Sequence, residues 1–234
     1  AHPEQTPPQK ARVRTYRAIE RYGLIWVSLG DPEHDIPPFP EWDDDRFYKV
    51  IWGPKHVQAS GPRIIENFLD VAHLPFVHEG ILGDSNRPEI GDYNVDAGAG
   101  GVISSRIEVY QPSPYGDKGG TVFYTYSAFR PLTAHFLKES ENLNYAILLV
   151  VTPQKETQST ARAIIATTRT NDATDDELRA RLDEIFGQDQ PVVEAQRPEL
   201  LPLDLQAELH LRSDRMAIEY RKWLNELGFT FGVA

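Results

Sequence analysis

The sequence predicts an α+β fold in which one antiparallel sheet is bordered by helices at its start and at its end. Strand-like segments separated by turn residues lie at 102–110, 121–129, 143–152 and 159–169. Their close spacing favours an antiparallel meander, because parallel strands need long helical crossovers between them. Helical patterns precede these segments at Ile64–Ala72 and follow them from Thr174 onwards.

The first 45 residues are expected to form a separate piece, followed by a main domain at 46–234. Strand-like runs at 12–19 and 24–29 flank a turn and predict a hairpin. A lone hairpin is marginally stable in water, so it needs further protein to pack against. Residues 30–45 are rich in Pro and Asp and predict an irregular linker. The chain starts without Met on a polar, proline-rich stretch, which suggests part of a longer polypeptide.

The main domain is expected to begin with a strand at 46–60, followed by the helix at Ile64–Ala72, which Pro62 would start. Residues 79–101 are rich in Gly, Asp and Asn and predict a loop. The glycines at its end precede a strand and not a helix. They therefore predict a turn rather than a phosphate-binding loop, which needs a helix N-terminus.

Three helices are predicted after the sheet. Thr174 and Glu177 have the spacing of a capping box, and the helix that they start is expected to reach about Phe186 and stop at Gly187. A second helix is expected at about 190–197. A third, at about 213–227, carries apolar and aromatic residues with helical spacing.

The composition excludes several classes of function. The 234 residues are 40% hydrophobic and 25% charged, and no apolar run is long enough to span a bilayer. With 24 Lys and Arg against 35 Asp and Glu, the net charge is −11, which argues against nucleic acid or a membrane as the main partner. The chain has no cysteine, which excludes disulfides and cysteine-held metal within these residues. A cysteine-free chain is compatible with the cytoplasm, which is the expected location.

One short stretch, residues 66–78, concentrates the potential chemistry in Asp70, His73 and His78. Two neutral imidazoles and one carboxylate can occupy one face of Fe(II) and leave the other positions open. On a regular helix, residues five apart point about 140° away from each other, which would keep His73 and His78 from sharing a metal. Pro75 is expected to break the helix between them and let them converge.

The residues alone leave open which carboxylate completes such a site. The candidates all follow the sheet segments: Asp172, Asp175, Asp176, Asp183, Asp189 and Glu194. The first three lie in a solvated, capping-rich stretch, and Asp183 is expected on an exposed helical position. For Asp189 the sequence supports equally a metal ligand and the N-cap of a helix beginning at Gln190.

The pattern N-x-x-D-x-x-H-x-x-x-x-H at 67–78, with D-x-x-V-V-E-A-Q at 189–196, resembles the catalytic domain of Rieske-type non-haem iron oxygenases. The resemblance is closest to oxidative O- and N-demethylases of the vanillate O-demethylase type, and it extends over essentially the whole chain. Residues 22–32 resemble the last strand of the family's Rieske domain. That domain holds a [2Fe–2S] cluster with two cysteines and two histidines. The absence of cysteine therefore implies that 1–45 are a remnant of it, with the cluster domain itself missing.

The resemblance implies a helix-grip fold of the START or Bet v 1 type, with a curved antiparallel sheet around a long C-terminal helix. It implies that His73, His78 and Asp189 bind a mononuclear Fe(II). Asp70 would be a catalytic bridge to the Rieske cluster of a neighbouring subunit, and Asn67 would support the site. The implied partners are O₂, a reductase or ferredoxin, a small aromatic substrate and the other subunits of a homotrimer.

We therefore expect the terminal oxygenase component of a Rieske-type mono- or dioxygenase, which hydroxylates or oxidatively demethylates its substrate. Without the cluster, this chain by itself is expected to be inactive. A helix-grip domain that binds a hydrophobic ligand without metal is one alternative, but it leaves the two histidines unexplained. A zinc hydrolase is another, but the chain lacks the H-E-x-x-H pattern.

Overall fold

The predicted sheet and helices are present in the computed structural model, which describes residues 4–112, 119–141, 143–168 and 173–234. The chain divides into two compact units, Ala1–Ile36 and Pro37–Ala234. The second unit combines a large antiparallel sheet with helices, so the α+β fold class is confirmed. Among the described residues, no helix is both long enough and apolar enough to cross a bilayer.

The first unit contains a hairpin of two strands, β1 (Arg17–Arg21) and β2 (Leu24–Ser28). Tyr22 and Gly23 form its turn with φ of 59° and 68°. Positive φ at both positions is the geometry of a type I′ turn, whose twist matches that of the strands. The first strand starts later than the predicted 12–19.

The second unit begins at Pro37 and not after residue 45. Phe39 and Glu41 are buried at a 3₁₀ turn, Pro40–Trp42. His135 of the sheet contacts both of them. Its ring lies 5.8 Å from that of Phe39, and its Nε2 atom lies 3.3 Å from Glu41 Oε2. Part of the proline-rich segment therefore packs on the sheet.

The sheet of the second unit has eight strands in the described part of the chain. Their order is β3-β10-β9-β8-β7-β5-β4, with β6 also paired to β7, and every pair is antiparallel. The strands are β3 (Tyr48–Val57), β4 (Val95–Gly98), β5 (Gly101–Ser104), β6 (Ile107–Gln111), β7 (Gly120–Arg130), β8 (Thr133–Glu139), β9 (Asn144–Lys155) and β10 (Gln158–Thr167).

Strands β4 and β8 are not predicted from the sequence. In β8 the apolar alternation is obscured, because His135 and Lys138 project from opposite faces of the strand and both are buried. The predicted turn at the glycines before residue 102 is present between β4 and β5.

Helix α1 (Gly61–Leu69) begins as the sequence predicts. Ser60 caps it by accepting a hydrogen bond from the backbone N–H of Arg63, and Pro62 lies in its first turn. The helix ends before the predicted Ala72, because Asp70 adopts an extended conformation with ψ of 121°.

A one-turn helix, α2 (Leu74–Val77), follows, with His73 and His78 at its two ends. The predicted helix break is therefore present, but both its predicted place and its predicted cause are wrong: it lies before His73, and the residues between the two histidines are helical. The chain leaves the helical conformation at Asp70, and Pro75 lies in the first turn of the next helix, where its missing N–H costs nothing.

Two longer helices complete the unit. Helix α3 (Asp175–Ala195) has 21 residues, and its predicted capping box at Thr174 and Glu177 is present. After a 3₁₀ turn at Arg212–Asp214, α4 (Arg215–Glu226) has 12 residues. The C-terminal helix is thus shorter than α3, and it buries one apolar face that includes Tyr220.

The predicted end of the first late helix at Gly187 is wrong, and so is the separate helix at 190–197. Pro191 cannot donate a helical hydrogen bond to the Gly187 carbonyl, which is why this stretch looks like a break in the sequence. Leu182 and Val193 are buried on either side of it. Their packing keeps α3 continuous.

A buried cluster of charges joins α1 to α4. Glu66 accepts hydrogen bonds of 2.5 and 2.9 Å from Arg221 and one of 3.4 Å from Arg63. Glu208 lies 2.6 Å from Arg63 and 2.5 Å from Arg221. Arg63, Glu66 and Arg221 are all buried, so the two carboxylates offset two guanidinium charges that water does not reach.

We expect Glu66→Gln to lower the free energy of unfolding by about 3 kcal/mol, because it leaves buried guanidinium charge with too little compensation. Urea denaturation of the purified chain measures this. The matched control is Glu226→Gln, which changes an exposed carboxylate of α4 and should leave the midpoint unchanged. Equal unfolding midpoints for the two variants would show that the cluster does not stabilise the fold.

Candidate metal centre

His73, His78 and Asp189 meet in the structure although more than a hundred residues separate the histidines from the aspartate. The Nε2 atoms of the two histidines lie 3.2 Å apart. Asp189 Oδ1 lies 3.4 Å from His73 Nε2 and 3.1 Å from His78 Nε2. The three side chains are largely or fully buried, with exposed fractions of 14%, 1% and 16%. The structure thus places three potential ligand atoms around one point.

The short break between α1 and α2 positions the histidines. Asp70 Oδ1 accepts a 2.8 Å hydrogen bond from the backbone N–H of Ala72, which fixes the turn that follows α1. Gly83 packs on α2 from the other side. A Cβ atom at Gly83 would lie 2.4 Å from Pro75 Cα, so only glycine allows the loop to approach α2 this closely.

A hydrogen-bond acceptor orients each imidazole ring. His73 Nδ1 lies 3.3 Å from Asp70 Oδ2, and His78 Nδ1 lies 2.7 Å from Gln188 Oε1. An acceptor at Nδ1 assigns the proton to that nitrogen in the neutral ring and leaves a lone pair on Nε2. Both lone pairs therefore point towards Asp189.

The charges at the centre favour a bound cation. Asp189 Oδ1 is buried and has no hydrogen-bond partner among the described residues, although such buried acceptors are nearly always paired. Burial disfavours the charged form of His73, but the hydrogen bond to Asp70 and the charges of Asp70 and Asp189 outweigh it and raise the pKa of His73. A divalent metal between the three atoms would satisfy them all. The donor set of two imidazoles and one carboxylate suits Fe(II).

The other predicted carboxylates are engaged elsewhere. Asp175 accepts a hydrogen bond from Tyr48. Asp176 pairs with Arg179, Asp183 with Lys55 and Trp52, and Glu194 with Gln190. Asp172 lies outside the described residues.

Asp189 lies inside α3, so the alternative that it caps a helix beginning at Gln190 is wrong. Continuity of α3 through residue 187 turns its side chain towards the histidines. Gln188 is a site residue that the sequence pattern does not indicate. Consecutive helical residues point about 100° apart, so both Gln188 and Asp189 can reach the site once the helix is known to continue.

A cavity of about 560 Å³ opens onto the three side chains. Its wall is mainly apolar and includes seven aromatic rings besides the histidines: Trp52, Phe68, Tyr124, Tyr126, Phe136, Tyr145 and Phe186. Asn67 also lines it, but within the described part of the chain its side chain makes no hydrogen bond to either imidazole. The supporting contacts come from Asp70 and Gln188 instead.

Comparison with known proteins identifies a family and several relatives that are all named as oxygenases or demethylases. Residues 57–228 match the vanillate O-demethylase oxygenase C-terminal domain. The chain is 35% identical to the probable methylxanthine N7-demethylase NdmC of Pseudomonas sp. (strain TJI-51), over 90% of this chain and 77% of that protein. It is 30% identical to the methylxanthine N1-demethylase NdmA of Pseudomonas putida, over 97% of this chain but 64% of that protein, so it spans less than two thirds of the length of NdmA.

Solved structures of a demethylase and a monooxygenase have the same fold as this chain. The chain superposes on Pseudomonas putida NdmA with caffeine at a TM-score of 0.80 and 30% identity, covering 96% of this chain and 65% of that one. Dicamba monooxygenase bound to 3,6-dichlorosalicylic acid shares the fold, with a TM-score of 0.75 at 19% identity and coverage of 98% and 75%.

We expect Gln188→Leu to weaken Fe(II) binding about 10- to 100-fold, because His78 would lose the acceptor that orients its ring. Anaerobic competition with a chromogenic chelator measures the affinity. Gln206→Leu removes an exposed amide far from the centre and should bind Fe(II) like the parent chain. If the two variants bind Fe(II) equally well, Gln188 does not orient the ligand.

Proposed function

Because the chain belongs to the vanillate O-demethylase oxygenase C-terminal domain family, we propose that it provides the iron centre of a Rieske-type oxygenase that oxidatively demethylates a small aromatic compound. One observation carries this proposal. Two oriented imidazoles and a buried, unpartnered carboxylate oxygen converge at a cavity lined with aromatic rings. Demethylation is preferred to hydroxylation because NdmC and NdmA are both named as demethylases.

Fe(II) would be held by the Nε2 atoms of His73 and His78 and by Oδ1 of Asp189. When bound, iron supplies the activation of O₂ and the oxidation of the substrate. The protein itself positions the three ligand side chains. The acceptors on Asp70 and Gln188 would keep each Nδ1 protonated and leave each Nε2 free to bind the metal.

Asp70 is proposed as the bridge through which electrons reach this site. One of its oxygens lies against His73 Nδ1, the other accepts from the backbone of Ala72, and 31% of the side chain remains exposed. Both carboxylate oxygens are thus held by contacts within the chain, while part of the Asp70 side chain remains accessible to solvent. In the proposed homotrimer the exposed side faces the Rieske cluster of a neighbouring subunit.

The electrons must come from a cluster that these 234 residues do not hold, because they contain no cysteine. The proposed source is a [2Fe–2S] Rieske cluster, which a reductase or ferredoxin would reduce. The proposed substrate carries an N- or O-methyl group and lies among the cavity's aromatic rings.

The two alternatives explain less. A ligand-binding domain without metal does not account for three acceptor atoms held within 3.4 Å of one another. A zinc hydrolase could use the same three residues, but the family to which the chain belongs takes its name from an oxygenase.

We expect His73→Ala to lose stoichiometric Fe(II) binding, because only two of the three ligands remain. An anaerobic Fe(II) titration of the 234-residue chain measures the loss. The control variant, His56→Ala, lacks an exposed imidazole that contacts Thr160. This variant should still bind one equivalent of iron. Equal uptake by both variants would contradict the proposed centre.

We further expect Asp70→Asn, made in the full-length protein with its cluster, to keep its iron and to lose turnover about 10- to 100-fold. The asparagine retains the shape but not the charge of the bridge. Iron content and product formation are measured on the same preparation, with the exposed Asp176→Asn as control. Parental turnover in Asp70→Asn would exclude the bridging role.

A further inference from the structure

A charged side chain lies within the aromatic wall of the cavity. Lys138 is in the middle of β8 and pairs across the sheet with Tyr124 on β7 and Tyr145 on β9. All three side chains line the cavity. The alternation of β8 assigns position 138 to the same face as Phe136, so a lysine lies on the face of the strand that carries an aromatic ring. Only 3% of Lys138 is exposed.

The surroundings of Lys138 are built to hold an ammonium group. Its Nζ atom lies 3.3 Å from Oε1 of Gln111, which is completely buried. The amide of Gln111 donates a 2.8 Å hydrogen bond to the Tyr124 hydroxyl, which fixes the amide's orientation. The Tyr124 and Tyr145 rings lie 6.0 and 5.6 Å from Nζ, at the distance of cation–π contacts.

Helix α3 shows where this group lies along the cavity. It carries Asp189 at one point and Arg181 eight residues earlier, which corresponds to about 12 Å along the helix axis. Arg181 also lines the cavity, and its positive charge acts on Lys138. Arg181 pairs with Glu184 at 3.3 Å, and Glu177 lines the same cavity one helical turn before Arg181. The cavity therefore has a metal-binding end at Asp189 and, near Arg181, an end where two cationic side chains and one carboxylate line the wall.

Burying the ammonium group is unfavourable in itself. Burial, together with the positive charge of Arg181, lowers the pKa of Lys138 to about 7. A carboxylate bound beside Nζ would offset both effects and restore the charged form. The chemistry of this end of the cavity thus matches an anion.

We propose that Lys138 is a specificity-determining residue that binds the carboxylate of the substrate at the end of the cavity remote from His73 and His78. The inference rests on the proposed function and refines it. The substrate is a methylated aromatic acid, with its carboxylate and its methyl group at opposite ends of the ring system. Binding at Lys138 places the methyl group at the histidines.

The test compares two probes that differ in charge but hardly in shape, 6-methoxy-2-naphthoate and 6-methoxy-2-naphthamide. Both are titrated into the 234-residue chain with a chelator present, so that no metal competes for the carboxylate. The variants are Lys138→Met, which nearly keeps the length of the side chain, and Arg181→Met, which changes a partly exposed position of α3. Lys155→Met is the control for the lost charge, because Lys155 is exposed at the end of β9.

The parent chain and Lys155→Met should bind the acid about tenfold more tightly than the amide. Lys138→Met should lose this preference and keep its affinity for the amide, and Arg181→Met should lose part of it. An equal affinity of the parent chain for both probes would overturn the proposal, and so would an undiminished preference in Lys138→Met. Because the titration contains no metal, it is independent of the iron titration of His73→Ala, and either can fail alone.

Discussion

Three hydrogen-bond acceptors converge at one buried point of this fold, and the elements around them serve to hold them there. Nε2 of His73, Nε2 of His78 and Oδ1 of Asp189 all lie within 3.4 Å of one another and direct lone pairs to one point. Such an arrangement is unfavourable unless a cation lies between the atoms. The fold must therefore hold together three groups that repel one another, and it uses two segments that are distant in sequence.

Each segment is held by contacts outside the centre. On one side, Asp70 fixes the turn after α1, and Gly83 allows a loop to close on α2. The charges around Glu66 attach α1 to α4. On the other side, the 21 residues of α3 carry Asp189 and Gln188 at one end of the cavity and Arg181 further along it. One helix thus aligns the proposed metal end with the proposed substrate-binding end.

Local signals in the sequence predict the parts that depend on local chemistry. The capping box at Thr174 and the proline at the start of α1 are present because a few neighbouring residues are sufficient to form them. Features that depend on tertiary packing are missed. Gly187 and Pro191 indicate a break, but α3 continues through both, with Leu182 and Val193 buried on either side. From the sequence, Asp189 is equally well explained as a helix N-cap and as a metal ligand. Because α3 is continuous, Asp189 lies inside the helix and cannot be its cap, and Gln188 also reaches the site. In β8, the two buried polar residues that hide the strand include Lys138, the residue that we propose to bind substrate.

The proposed iron centre can be located directly by crystallography. Crystals of the chain grown anaerobically with Fe(II) would give an anomalous difference map at the iron edge. We expect a single strong peak within bonding distance of His73 Nε2, His78 Nε2 and Asp189 Oδ1, with Asp70 and Gln188 still in contact with the two Nδ1 atoms. A peak elsewhere, or iron bound without Asp189, would contradict this expectation.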